Sequence, residues 1–427
     1  MSMRDLVAMA MKKADGAQAM MSRAEASNVS FENDRLKTIK SAQSTSVTVR
    51  VVVDGKLGTS RTTDPEDRQG VVDRALEAAA FGSPVHFSFP GPQKLPEVKI
   101  FDAAVPSVPR EEMVRLGEGM IARVKDYNSD ILLGAGVSRS VMRNELANSA
   151  GADLSEESTA FSLGVHGQLV RGTDILWAGH GFGWKKRDID QDQVAAKTIE
   201  LFRLAEKTAT IRSGEMPVIF TPEGMSVLLL ALRLGFNGKN VVLGASPLAG
   251  KEGEMVADER FSLTDDPLLE YAGGTGAYDG EGVSHRVTPL IGQGRVKNFL
   301  YDLDTAGRAG LESTGNGIGC GPTNLVVAEG DKDCEEMVKE TKEGLIVHNV
   351  IGLGQGNPLS GEFSVNVNLG YKIENGEVVG RVKNTMLAGN TYEALKNIES
   401  IGDRAEWAGG RLLTPAVKIG KLSVVSR

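Results

Sequence analysis

The chain has 427 residues, a formal net charge of −8, 41% hydrophobic and 24% charged residues, a size and balance that fit a soluble globular protein of two or three domains. Its one tight basic triplet, Lys185-Lys186-Arg187, stands beside Asp188, Asp190 and Asp192, which argues against direct nucleic-acid binding, and its longest apolar run, 227–232, is far too short to cross a membrane. The N-terminus carries Arg4, Asp5, Lys12 and Lys13 where a signal peptide would be apolar, and two cysteines (Cys320 and Cys334) cannot build a disulfide framework, so a reducing, cytoplasmic location is expected.

In chain order, residues 3–15 suit a helix ended by Asp15-Gly16. Extended stretches are expected at 18–31, 34–41 and 45–53, the last β-branched and closed by the hairpin turn Asp54-Gly55. Thr63-Asp64-Pro65-Glu66 reads as the start of a helix that runs to about residue 80. Residues 83–108 are Pro-rich and read as an extended connector. The order then repeats: a helix from about 109, extended stretches at 131–148 and 158–183, and a helix over 189–207. Residues 1–212 are therefore expected to form an N-terminal α+β domain with an internal duplication, about 3–80 and 109–207.

A second domain, 213–427, is expected to be β-rich and to hold most of the excess of the 51 glycines. It begins with a short strand at 218–220 and a helix at 222–235 capped by Thr221-Pro222-Glu223. The Gly-rich region 244–321 is too long for an ordinary loop, and its apolar pairs point to concealed strands. Beyond it, strands are expected at 323–328, 344–351, 362–373, 377–386 and 416–425, with helices at 332–343 and 391–401.

Zinc hydrolysis needs two imidazoles on one helix face and a carboxylate base. None of the five histidines (His86, His166, His180, His285, His348) precedes a Glu, and no two are spaced for one helix face. Cys320, in STGNGIGCGPTN, could be a nucleophile with His285 or His348 as base, or an inert thiol. Asp265-Asp266, Asp279, Glu281 and His285 could hold a hard or borderline metal; the reading preferred here is turn chemistry, with the carboxylates bonding local backbone. GLGQGN (352–357) lacks dinucleotide spacing, and no phosphate loop or G-x-S-x-G elbow occurs.

Four blocks carry a wider resemblance: 28–60, 265–303 (DDP…YDGEGV…LIGQGRVKNFLYDL), ESTGNG at 312–317, and 361–384. Together they resemble the TldD/PmbA family, once termed modulators of DNA gyrase, over essentially the whole chain. The family's metallopeptidases place His-Glu-x-x-x-His where this chain has Leu230, Ala231 and Gly235, and take a Cys near the chain end where 401–415 has none. The resemblance thus implies the metal-free PmbA/TldE branch, with no catalytic residue and no metal in this chain. It further implies a heterodimer with a TldD-type partner that carries the zinc and cleaves unfolded or flexible peptides. Asp266, Asp279, Glu281, His285, Asn316 and Cys320 are the residues expected to face a cavity or peptide. The alternatives are an independent hydrolase built on Asp279/Glu281/His285 or Cys320, and a homodimeric peptide-binding protein.

Overall fold

The computed structural model describes residues 2–426. Helix α1 (Met3–Ala10) leads into three strands, β1 (Gly16–Glu32), β2 (Arg35–Val53) and β3 (Lys56–Thr62), followed by helix α2 (Arg68–Ala79). The Pro-rich connector is extended except for a single turn, α3 (Ala104–Ser107). Helix α4 (Arg110–Tyr127), strands β4 (Leu132–Asn148), β5 (Asp153–Arg171) and β6 (Asp174–Trp184), and helix α5 (Gln191–Leu204) repeat the pattern. All six strands join one antiparallel sheet in the order β3-β2-β1-β4-β5-β6.

Period-2 alternation explains how one sheet carries two cores. On β1, Ala17, Ala19 and Met21 pack with α1 and α2, whereas Val29 and Phe31, farther along the strand, pack with α4 and α5. Between them Arg23 and Glu25 are exposed. The polar stretch of β2, expected to interrupt two strands, is one continuous strand because its pairing with β1 runs unbroken through Ala42, Gln43 and Ser44. Helix α2 starts later than Thr63-Asp64-Pro65-Glu66 suggests, since Asp64 bonds the Glu66 N–H and closes a turn there. Residues 158–183 form two strands that turn at Gly172, whose φ is +64°.

The C-terminal half opens with β7 (Gly214–Phe220), α6 (Ser226–Gly235) and α7 (Gly238–Val242). The Gly-rich region does conceal strands, β8 (Leu263–Asp265), β9 (Thr288–Gly292) and β10 (Arg295–Val296), ahead of α8 (Leu303–Ala309) and β11 (Leu325–Val327). Then come α9 (Cys334–Lys339), β12 (Glu343–Ile351), β13 (Glu362–Glu374), β14 (Glu377–Arg381), β15 (Thr385–Asn390), α10 (Thr391–Ala394) and β16 (Ile398–Ile401). The chain ends with β17 (Glu406–Ala408), β18 (Leu412–Thr414) and β19 (Val417–Ser426). The expected helix over 391–401 lasts one turn, because Ile398 and Ile401 pair with β19.

Strands β12-β7-β19-β15-β13 pair in sequence, and β13 also pairs with β12, so this sheet closes on itself. Closure removes the open edges that would otherwise invite association. Helix α6 buries Val227, Leu228, Leu229 and Leu232 in the largest core cluster of the described residues, as a predominantly apolar helix must. The halves interlock: Leu369 and Tyr371 of β13 pack in the core beneath β4–β6, and the Tyr371 hydroxyl donates to Leu201 O at 3.2 Å.

Candidate functional site

The six residues picked out between 266 and 320 belong to a Gly-rich block whose carboxylates serve the backbone. The fully buried carboxylate is Asp265; its neighbour Asp266 is half-buried and accepts the Leu268 N–H at 2.9 Å. Asn316 donates to Asp265 Oδ2 at 2.7 Å and accepts from the Thr314 hydroxyl at 2.7 Å. Glu281 Oε2 accepts the Leu303 N–H at the start of α8 (2.7 Å), and Oε1 meets Arg50 Nη2 of β2 at 3.0 Å. His285 is half-buried, and burial holds its imidazole down to about 4. Cys320 is fully buried; its sulfur accepts the Asp302 N–H and lies 3.3 Å from the Thr305 hydroxyl, and burial pushes the thiol up. A nucleophilic cysteine needs the opposite environment.

Asp279 shows the same design. Oδ1 accepts the N–H groups of Glu281 (2.8 Å) and Val283 (3.0 Å), and Oδ2 that of Gly317 (2.7 Å). Burial still dominates and pushes its carboxyl up to about 6. The folded chain therefore holds this proton more tightly than the unfolded chain. The residue's contribution to stability grows as pH falls through 6, is complete below the ordinary carboxylate range, and is absent at neutral pH. Asp279→Asn has no such titration and turns an amide N–H₂ toward Gly317 N–H. The stability gap between wild type and this variant is expected to widen by about 2 kcal/mol between neutral pH and pH ~4. Urea unfolding at both pH values measures it, and an unchanged gap contradicts the assignment.

A more spacious cleft lies elsewhere. A cleft of about 980 Å³ runs between strands β1, β4, β5 and β6 on one side and residues of β12, β13 and the β7–α6 turn on the other. None of the six residues above lines it. Its sheet wall is kept shallow where Gly164 and Gly181 face each other, since a Cβ on either would lie 3.3 Å from the other's Cα.

On this cleft three titratable groups converge from different elements: His180 of β6, Glu223 of the β7–α6 turn and His348 of β12. His180 Nδ1 lies 3.7 Å from Glu223 Oε1, and His348 Nδ1 lies 3.7 Å from Oε2. Burial holds both imidazoles below their ordinary range, against the pull of Glu223. Sequence spacing gave no sign of this cluster, because the two histidines sit on strands of opposite halves. The usable signal was the turn Thr221-Pro222-Glu223, read as a helix cap; the helix begins only at Ser226 and leaves Glu223 free to project.

A second cavity of about 420 Å³ adjoins, shares Glu223 with the cleft, and is lined by leucines such as Leu229, Leu230 and Leu325 together with Arg233 and Arg411. Of the three α6 positions that the resemblance sets against the metal motif, Leu230 lines this pocket. Leu230, Ala231 and Gly235 offer no side-chain donor atom to zinc. Nor is there room for one: Ala231 is buried, and a Cβ at Gly235 would lie 2.7 Å from the Tyr392 hydroxyl and 3.1 Å from Leu248. Tyr392 donates instead to Ala231 O at 3.3 Å. A metal does not fit these positions, and among the described residues no three His, Cys, Asp or Glu side chains form a group able to hold one.

Comparison with known proteins agrees with this architecture. The family model described as the PmbA/TldA metallopeptidase C-terminal domain matches residues 213–426, and that for PmbA/TldA metallopeptidase domain 1 matches residues 17–80. An uncharacterized protein of Methanocaldococcus jannaschii is 27% identical over 91% of this chain and 92% of its own length. A metalloprotease of Methanothermobacter thermautotrophicus is 27% identical over 88% of this chain and 85% of its own. The crystal structure of TldE from Thermococcus kodakarensis shares the fold, with a TM-score of 0.93 at 24% identity over 99% of this chain and 100% of that one. These matches define the class as a metallopeptidase-type scaffold. The chain belongs to the PmbA/TldD metalloprotease family. No helix among the described residues is long and apolar enough to cross a membrane.

Proposed function

We propose that this chain is a non-hydrolytic subunit of a cytoplasmic TldD/TldE-type peptidase assembly. It would hold an extended, unfolded peptide in the cleft while a zinc-bearing TldD-type partner cleaves. The observation that carries this reading is the chemistry of α6: a member of a metallopeptidase family presents Leu230, Ala231 and Gly235 on a packed apolar helix where relatives are expected to place ligands. The cleft supports the peptide-holding role, being open and lined by strands. Independent hydrolysis through Cys320 or through Asp279, Glu281 and His285 is disfavoured, because the thiol is buried and both carboxylates are already engaged.

The test combines purified chain, a His-Glu-x-x-x-His relative from the same cell, and an unfolded peptide. Cleavage is expected with both chains together and little with either alone. Equal cleavage by the relative alone would sink the required-subunit reading. Sedimentation of the chain alone and with the relative separates the heterodimer from the homodimer alternative.

A further inference from the structure

Glu223 is chemically unusual within the cleft. Its nearest titratable neighbours, the two Nδ1 atoms, are 3.7 Å away, beyond hydrogen-bond reach. Burial lowers both imidazoles from their ordinary range and so disfavours the cation that would balance its charge. The Thr221 hydroxyl accepts the Gly224 N–H at 3.3 Å and lies 3.2 Å from His348 Nδ1, so it competes with Glu223 for that ring nitrogen. Lys197, the cation that bears on both histidines, is itself paired with Glu406. The side chain is 30% exposed. Among the described residues no lysine or arginine lies within ion-pair distance of this carboxylate, which stands at the junction between the cleft and the pocket that holds Arg233 and Arg411 beside its leucines.

We propose that Glu223, flanked by His180 and His348, receives a protonated amine of a bound peptide, while the pocket over Leu230 takes an adjacent apolar side chain. This rests on the peptide-holding role above and names what the cleft recognises. An ammonium head carries three N–H donors. The two carboxylate oxygens provide two acceptors, and His180 in its Nε2–H tautomer would provide a third through Nδ1. A charge-assisted bond in a half-buried cleft is stronger than a neutral one. The competing occupant is a metal ion. The geometry disfavours it, because among the described residues no three His, Cys, Asp or Glu side chains form a group able to hold one.

The test is calorimetric titration of the full chain, with chelator present, using a short unstructured apolar peptide in four forms. The N-terminus is free or acetylated, and one internal position is lysine or norleucine. Wild type is expected to prefer amine-bearing forms by roughly tenfold. Glu223→Gln should erase that preference while binding the acetylated norleucine peptide as wild type does, and Glu223→Asp should retain part of it. The two amine-bearing arms show whether the α-amine or the lysine is read. The inference is overturned if wild type binds all four forms alike, or if E223Q keeps the preference. It is also overturned if zinc alone, titrated without chelator, binds wild type and not E223Q. If none of the four peptides binds, the peptide-holding reading falls as well, whereas equal binding of all four removes this inference only.

Discussion

Asp265→Ala is expected to cost about 4 kcal/mol of folding stability, from the loss of one side chain that forms no part of the cleft. Asp265 is fully buried at the end of β8. Its Oδ1 accepts Thr323 N–H (2.7 Å), the Thr323 hydroxyl (2.8 Å) and Asn324 N–H (3.1 Å), and Oδ2 accepts Asn316 Nδ2 (2.7 Å). Asn324 in turn fixes Gly274 N–H and Asp266 O, so a single carboxylate positions three segments of the Gly-rich block. Removing it strands two backbone N–H groups and a side-chain amide, each worth about 1–3 kcal/mol when buried and unpaired. Relief of the carboxylate's own burial, which pushes its pKa up, offsets part of that loss. Asp265→Asn should lose only about 1–2 kcal/mol. Its amide oxygen can still serve Oδ1's donors, and Asn316 can rotate its amide to meet the new N–H₂. Denaturant unfolding of both variants checks the order; an alanine variant as stable as the asparagine one removes the role assigned to Asp265. Since domains are typically stable by about 5–15 kcal/mol, the alanine variant should also accumulate poorly in cells.

The same block shows where sequence reading succeeds and where it stops. Alternation made β1, β4, β13 and β19 legible, because buried apolar residues recur at every second position over part of each. Asp54-Gly55 was legible as a turn, and both residues have positive φ. The block 265–321 was legible as a family signature but not as a set of contacts. Its order comes from carboxylate-to-backbone bonds between residues such as Asp279 and Gly317, which follow no period. Sequence also placed chemical interest on Asp266, where the buried, fully bonded acid is its neighbour Asp265. The His180–Glu223–His348 cluster lay beyond reach for a different reason. It is assembled only when β6 of the first sheet meets β12 of the closed one, and no local pattern in either strand encodes that meeting.

The meeting of the halves also sets the second large expected effect, at the ion pair between Arg50 of β2 and Glu281. The side chains are 7% and 2% exposed. The guanidinium lies 5.6 and 5.8 Å from the ring centres of Phe87 and Phe89, so the pair is walled by aromatics as well as by the sheet. A buried pair gains little over a neutral replacement, yet losing one partner strands a charge and costs about 3–5 kcal/mol. Arg50→Met and Glu281→Gln should each show that loss. The double variant R50M/E281Q should recover most of it, because it removes both charges and leaves the Gln oxygen to accept Leu303 N–H. The two single variants should part company with pH. In R50M the stranded group is a carboxyl whose pKa burial already raises, so it can take up a proton and the defect should shrink as pH falls. In E281Q the stranded group is a guanidinium, which keeps its proton at any usable pH, so that defect should persist. A double-mutant cycle measured near neutral pH and again near pH ~5 reads both effects. Additive losses at both pH values would mean that the halves are held by packing alone, with the ion pair contributing nothing specific.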